Sequence, residues 1–299
     1  MASPERERII AMLRMLPREL PTRDNVPLMR TLLDAAAGRS PRGTEVEEVD
    51  AAGVPAEWVR CGEVDPDRRL LYLHGGAYVT GSRVSHRALA ARISRAARVT
   101  VLLIDYRLAP EHPHPAALED AVAALGFMLE TGPLGPARAR RSFVAGDSAG
   151  GGLALATLLS ARDAELPLPD AAIALSPWTD LAMTGDSFMS RAGVDPMITP
   201  SFMHPCAALY LDATDARHPL ASPLYGDLGN LPPLLLHVGD EEVLLDDTRR
   251  FAERARAAGV EVTAEVWPEM FHVFHAFAGM LPEGREAIAK IGEFLARWP

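Results

Sequence analysis

Six short apolar runs, each closing on polar or glycine-bearing residues, set the rhythm of the chain: "RLLYLHGG", "VTVLLIDYR", "SFVAGDSAG", "DAAIALSPW", "PPLLLHVGD" and "EVTAEVWPE". Such short apolar runs predict strands, most of them buried on both faces. Between them lie stretches such as "HRALAARISRAA" and "DDTRRFAERARAAG", whose apolar residues recur at helical spacing. Strand alternating with helix predicts an α/β fold, a mostly parallel sheet with helices on both faces. Ahead of these runs, "TEVEEVDAAGVPAEWVR" holds two alternating segments around Ala51-Ala52-Gly53, which predicts an antiparallel pair at a sheet edge.

Two stretches break the rhythm. In "MASPERERIIAMLRMLPREL", Ile9, Met12, Leu13, Leu16 and Leu20 recur at three- and four-residue spacing, a helix with one apolar face that Pro17 and Pro21 then end. Such a face must lie on something apolar, either as ordinary packing on the main domain or as a lid over a pocket. From about Leu181 to about Leu231 the sequence is rich in Met, Pro, His and aromatic residues, poor in strand character and too long for an ordinary loop. The organisation expected is a single domain over residues 1–299, with a cap subdomain formed by about 1–40 and about 181–231. In parallel sheets ligands gather at the carboxyl ends of the strands, where the polar clusters of this chain also fall.

At 299 residues, 48% hydrophobic and 23% charged, the chain can bury an ample core without metal or disulfide staples. Its net charge of −10, with basic residues spread rather than clustered, argues against a nucleic-acid or anionic-lipid binder and for a small neutral or weakly polar ligand. Cys61 and Cys206 stand apart without metal or redox spacing, as buried thiols in a reducing compartment do. Glu5 and Glu7 stand where a secretory signal carries only positive charge, and the apolar residues around them are spaced rather than continuous. The expectation is a cytoplasmic protein with no membrane span.

The strongest chemical signal is "FVAGDSAGGGLALATLL", in which a strand enters Gly146-Asp147-Ser148-Ala149-Gly150 and leaves as an apolar helix. G-x-S-x-G in this strand-turn-helix setting makes a sharp, strained turn that lifts a serine hydroxyl above the sheet. Ser148 is the candidate nucleophile, with Asp147 as part of its motif. A second signal, His74-Gly75-Gly76-Ala77 directly after another strand, occupies the place of a loop that lends backbone N–H groups to an oxyanion hole. Gly75, Gly76 and Ala149 are the expected donors, each contributing on the order of 10²–10³ in rate. His74 is expected to fix that loop by hydrogen bonding, because the base must follow the nucleophile in this fold.

Together "HGGAY", "DYRLAPEHPHPA" and "GDSAGG", in this order, resemble the hormone-sensitive-lipase-like carboxylesterases, bacterial family IV of the α/β-hydrolase fold. The similarity covers essentially the whole chain. It implies an eight-stranded, mostly parallel sheet with a helical cap, a Ser-His-acid mechanism on short acyl esters, a small-molecule ester substrate and no cofactor. It also suggests a homodimer through the sheet edge near "EVTAEVW". The chain is similar, too, to the branch of lactone and acetyl-ester hydrolases.

A serine nucleophile needs a base, and "WPEMFHVFHAF" after the last strand offers His272 and His275. The resemblance favours His272, which has an aromatic residue, Phe274, two positions on. The base in turn needs a carboxylate on its other ring nitrogen. "HVGDEEVLLDD" offers five: Asp240, Glu241, Glu242, Asp246 and Asp247. The last two read as first-turn charges complementing the dipole of the next helix. The family's Asp-Pro-Leu-x-Asp spacing lands on Glu242, followed by Val243-Leu244-Leu245-Asp246, so this chain has Glu for Asp and Val for Pro. Glu241 and Asp240 stay as alternatives.

Other residues are expected to support. Asp105, Arg107 and Glu111 read as a structural network behind the His-Gly-Gly loop, and His112 and His114 have no third ligand at metal spacing. Tyr78, Trp178, Phe202, Met203 and Leu224 are candidates for a substrate pocket. The same triad would also serve a lactone, N-formyl or aryl-amide hydrolase, and a ligand-binding receptor on this scaffold is the non-enzymatic alternative.

Overall fold

The computed structural model describes residues 3–15 and 20–299. The alternating segments form a hairpin, β1 (Thr44–Ala51) and β2 (Val54–Cys61), with Ala51 opposite Val54 and with Ala52 and Gly53 at positive φ. A two-residue turn of that hand matches the twist of the flanking strands. The six apolar runs supply β3 (Asp65–Leu73), β4 (Val99–Ile104), β5 (Arg141–Asp147), β6 (Ala171–Leu175), β7 (Leu234–Gly239) and β8 (Val262–Trp267). The sheet runs β1-β2-β4-β3-β5-β6-β7-β8; β2 is antiparallel to both neighbours and every later pairing is parallel.

Side-chain parity along these strands divides the core into two layers. Leu71, Leu73, Val144, Ala172, Leu234 and Leu236 face α4 (Ala116–Glu130), α5 (Ala149–Asp163) and α8 (Leu245–Ala257). Their neighbours Leu70, Tyr72, Phe143, Ala145, Ile173 and Leu235 face α3 (Arg83–Ala97) and α9 (Pro282–Leu295). Helices on both faces explain why β4, β6 and β7 carry no polar alternation: each is buried along its whole length.

The N-terminal helix α1 (Pro4–Arg14) is present, but its buried face differs from the expected one. Arg6, Ile9, Ile10 and Leu13 are buried, whereas Met12 is 45% and Leu20 53% exposed. Leu16 and Pro17 lie outside the described residues. The face is chosen by what it meets: Ile9, Ile10 and Leu13 join Trp267, Met270, Phe271 and Phe274 around the loop after β8, a pairing that spacing within the helix cannot reveal. A further helix, α2 (Val26–Ala35), follows, which the hydrophobic pattern does not predict.

Between β6 and β7 the long insertion contains α6 (Asp186–Ser190), α7 (Pro200–Leu211) and a turn of 3₁₀-helix at Pro223–Tyr225, with no strand. Tyr210 of α7 stacks at 3.7 Å on Tyr78, in the loop after β3, and Tyr78 lies 6.2 Å from Trp178, in the loop after β6. Both irregular segments thus pack on loops at the carboxyl ends of the strands. Cys61 and Cys206 are buried and unpaired. Among the described residues no helix is long and apolar enough to cross a membrane.

Candidate active site

Ser148 sits between the last residue of β5 and the first of α5 with φ 55° and ψ −124°, a conformation costly for a residue with a side chain. The chain can bend there because Gly146 and Gly150, two positions to either side, lack side chains. A Cβ on Gly146 would lie 2.2 Å from the Gly150 carbonyl oxygen, and one on Gly150 would lie 2.1 Å from that of Leu73. The turn is pinned from outside, with Ser148 N–H donating to Leu175 O at 2.8 Å and Trp178 N–H donating to Ser148 O at 2.9 Å.

The loop after β8 brings His272 to this turn. Its Nε2 lies 2.9 Å from Ser148 Oγ and its Nδ1 lies 2.7 Å from Glu242 Oε2. The other Glu242 oxygen, Oε1, accepts hydrogen bonds from Ser176 Oγ at 2.9 Å and from the Gly239 N–H. Ser176 Oγ in turn accepts the Val273 N–H at 3.1 Å, so one hydroxyl ties the acid to the backbone of the His272 loop. Burial by itself would lower the His272 pKa. The hydrogen bond and charge of Glu242, joined by the charges of Asp195 and Asp147, outweigh burial and raise it.

The other four carboxylates have separate partners. Asp240 accepts the Glu269 N–H at 2.6 Å, and Glu241 pairs with Arg6 of α1, whose guanidinium also reaches the Glu269 carbonyl. Asp246 accepts the Ser187 N–H at 2.7 Å. Asp247 stands in the first turn of α8 as expected, and it is also 2% exposed and accepts the N–H groups of Thr179 at 2.8 Å and Asp180 at 2.9 Å. Burial, reinforced by the Asp180 charge, pushes its carboxyl up to about 8. His275 lies in a 3₁₀ turn ahead of α9, where its Nε2 is 3.1 Å from His237 Nδ1. Burial first, then the neighbouring histidines, hold its pKa well below the ordinary value.

The expected oxyanion donors need one correction. The Gly75 N–H already donates to Asp147 Oδ1 at 3.1 Å, so it does not face an oxyanion. Asp147 is buried beside Ser148 and gathers donors, with Tyr72 OH at 2.8 Å on the same oxygen and His86 Nε2 3.4 Å from the other. Burial would raise the Asp147 pKa, but His86 and Tyr72 lower it. The amides of Gly76, Ala77 and Ala149 donate to no protein acceptor among the described residues. The free pair in the loop therefore begins one residue later, at Gly76 and Ala77, the latter held at φ 55°. An aspartate next to Ser148 in the sequence was the signal that the first glycine amide would be taken.

His74 sits as expected in a fixing position, its Nδ1 2.8 Å from Gly75 O and its ring stacked on Tyr106 at 4.2 Å. Burial, then the His86 charge, lowers its pKa to about 4, so the ring is neutral. Asp105, Arg107 and Glu111 do not share one network. Asp105 pairs with Arg83, Arg107 with Asp120 and Glu119, and Glu111 with Arg30, which alone of these reaches the loop by donating to Val79 O at 2.8 Å. Among the described residues no group of three or more His, Cys, Asp or Glu is placed to hold a metal ion. Tyr78, Trp178, Met203 and Leu224 are fully buried in one apolar cluster, where core packing accounts for them; Phe202 is half-buried at its margin.

Residues 70–276 match the family model of the alpha/beta hydrolase fold. The chain is 52% identical over 241 residues to an acetyl-hydrolase of Streptomyces hygroscopicus, covering 80% of this chain and 79% of that protein. It superposes on an esterase/lipase from an uncultured bacterium with TM-score 0.93 at 46% identity, covering 99% of both chains. An esterase of the bacterial hormone-sensitive lipase family aligns with TM-score 0.91 at 46% identity, covering 100% of this chain and 99% of that one. With residue order, sheet and sequence in agreement along the whole chain, it belongs to the α/β-hydrolase family, in the hormone-sensitive-lipase-like esterase branch.

Proposed function

We propose that this carboxylesterase cleaves short-chain acyl esters through Ser148, His272 and Glu242. The observation that carries the assignment is the continuous hydrogen-bonded line from Ser148 Oγ to His272 at 2.9 Å and on to Glu242 at 2.7 Å. Ser148 Oγ attacks the ester carbonyl while His272 Nε2 takes its proton. Glu242 keeps the remaining ring proton on Nδ1 and stabilises the imidazolium. The tetrahedral oxyanion is held by the amides of Ala149, Gly76 and Ala77, which have no competing protein acceptor among the described residues. Imidazolium then protonates the leaving alcohol, and water, activated by the same ring, releases the acyl group. No step calls for a cofactor.

The raised pKa of His272 places the acidic limb of kcat/KM above the ordinary histidine value of about 6.5. Residues about 1–40 and 181–231 act as a cap, a reading supported by their packing on the loops after β3, β6 and β8. A homodimer through β8 is supported by its position at the sheet edge with Val266 exposed; sedimentation of wild type against Val266→Lys tests it.

The relative's being an acetyl-hydrolase supports a short acyl group here over a lactone or an amide. The test is a p-nitrophenyl ester chain-length series, with lactone and anilide counterparts, on wild type and Ser148→Ala. Acetate and butyrate turned over fastest, with Ser148→Ala inactive, is the expected result. Turnover by Ser148→Ala at the wild-type rate would sink the mechanism, and a receptor would hydrolyse nothing.

A further inference from the structure

Val243, the residue that follows Glu242, is gripped at both its N–H and its carbonyl by the inserted segment. Asp195 Oδ2 accepts the Val243 N–H at 3.1 Å, and Ser187 Oγ donates to the Val243 carbonyl at 2.8 Å. Ser187 is anchored by the Asp246 N–H at 2.9 Å and by its own N–H on Asp246 Oδ2 at 2.7 Å. Asp195 Oδ1 accepts the N–H groups of Met197 at 2.9 Å and Ile198 at 3.1 Å, closing residues 195–198 into a turn. Met197 of that turn packs in the cluster of Phe271, the residue before His272. One turn of the insertion therefore touches both the loop that carries the acid and the loop that carries the base.

Asp195 is 3% exposed, and among the described residues no basic side chain forms an ion pair with it. Backbone N–H groups satisfy its oxygens, but they do not neutralise it. A buried charge of this kind is costly unless a countercharge is near. A countercharge within electrostatic reach of it is the His272 imidazolium, which Glu242 contacts directly. Burial raises the Asp195 pKa most; the His272 charge pulls against it, Glu242 pushes further, and the carboxyl comes to rest at about 6. The influence is mutual, since Asp195 is among the groups that raise the pKa of His272, after Glu242 and ahead of Asp147.

We propose that Asp195 is a positioning residue for the catalytic acid: through it the insertion fixes the peptide after Glu242 and sets a second negative charge near the His272 imidazolium. An amide at 195 would keep the size and one acceptor of the carboxylate but lose the charge. Ser187 shares the mechanical part of the task without the electrostatic part. The proposal rests on Ser148, His272 and Glu242 acting as described above.

The groups that face these two residues bound the pH argument. Asp195 sees His272 and Glu242; His272 sees Glu242, Asp195 and Asp147, with His275 on its own loop. His272 and Asp195 therefore titrate as a coupled pair, and removing the Asp195 charge makes the imidazolium easier to deprotonate. The experiment measures kcat and KM for p-nitrophenyl acetate between about pH 5 and about pH 9. Wild type, Asp195→Asn, Asp195→Glu and Ser187→Ala are compared, each normalised to serine titrated by a phosphonate, with Ser148→Ala normalised to protein concentration and every variant accompanied by a thermal melt.

Asp195→Asn is expected to lower kcat about tenfold with little change in KM, and to move the acidic limb of kcat/KM down by about one pH unit. Asp195→Glu retains the charge and keeps the limb in place even where its longer arm lowers kcat. Ser187→Ala lowers kcat several-fold and also leaves the limb unmoved, which separates geometry from charge. An unshifted limb in Asp195→Asn, per titrated serine, overturns the proposal while leaving the triad intact. If Asp195→Asn does not fold, a limb displaced in Asp195→Glu overturns it equally. Activity in Ser148→Ala would instead overturn the reading on which the proposal rests.

Discussion

Glu242→Gln is the substitution whose outcome the structure decides most sharply. The two oxygens of Glu242 are not equivalent: Oε1 accepts from the Gly239 N–H and from Ser176 Oγ, while Oε2 accepts from His272 Nδ1. A glutamine must keep its oxygen toward Gly239, because a fixed backbone N–H cannot face an NH₂ group. That leaves the NH₂ against His272 Nδ1, which must then become an acceptor, and the ring proton moves to Nε2. A ring protonated at Nε2 cannot take the proton of Ser148. Loss of the correct tautomer and of the countercharge together predicts a fall of about 10³–10⁴ in kcat, or about 4 to 5 kcal/mol of transition-state stabilisation. KM changes little, because the acid does not touch the substrate. The assay is p-nitrophenyl acetate hydrolysis by wild type, Glu242→Gln, Glu241→Gln and Asp240→Asn at one pH above the acidic limb, with serine titration. Activity of Glu242→Gln within tenfold of wild type, or a comparable collapse in Glu241→Gln, would refute the assignment.

Three further outcomes follow from the same geometry. Gly150→Ala places a methyl 2.1 Å from Leu73 O and 2.3 Å from His74 O, both backbone atoms, so it is expected to abolish the active fold; near-normal activity and circular dichroism would contradict the turn described. Ser176→Ala takes a donor from Glu242 and the acceptor from the Val273 N–H, so stability should fall by about 1–3 kcal/mol in denaturant melts, together with a drop in kcat; no change in either speaks against it. Burial, then Lys290, lowers the His237 pKa to about 3, below the unfolded value of about 6.5. Both states are neutral above that value, and as pH falls below it the unfolded chain takes a proton that the fold refuses. His237→Gln removes this penalty, so its stability cost in urea melts should be smaller at pH 5 than at pH 7.5 by about 2 kcal/mol; equal costs would show that His237 titrates normally.

What was legible in the sequence was whatever depends on neighbours in the chain. Apolar runs of strand length predicted the six later strands, and the alternating segments around Ala51-Ala52-Gly53 predicted the hairpin, because burial on both faces and turn chemistry leave local marks. Ser148 stood out because the glycines that let the turn form are its sequence neighbours. What was not legible depends on partners far along the chain. The amide of Gly75 is taken by the Asp147 side chain, 72 residues away, which moves the free donors to Gly76 and Ala77. Asp247 read only as a first-turn charge of α8, because the Thr179 and Asp180 amides that it accepts lie 68 and 67 residues off. The face of α1 is set by Phe271 and by the pairing of Arg6 with Glu241, and neither appears in helical spacing alone. Asp195, within an insertion without strand rhythm, gave no local sign of reaching Val243.

The central claim is that Ser148 is the nucleophile of an ester hydrolase. The most direct measurement is peptide mapping by mass spectrometry after inactivation with a fluorophosphonate, read alongside residual p-nitrophenyl acetate hydrolysis. One label per chain, on the peptide that carries Ser148, with activity lost in proportion to labelling, is the predicted result. Full hydrolysis with Ser148 unlabelled, or inactivation through a label on another residue, would contradict it.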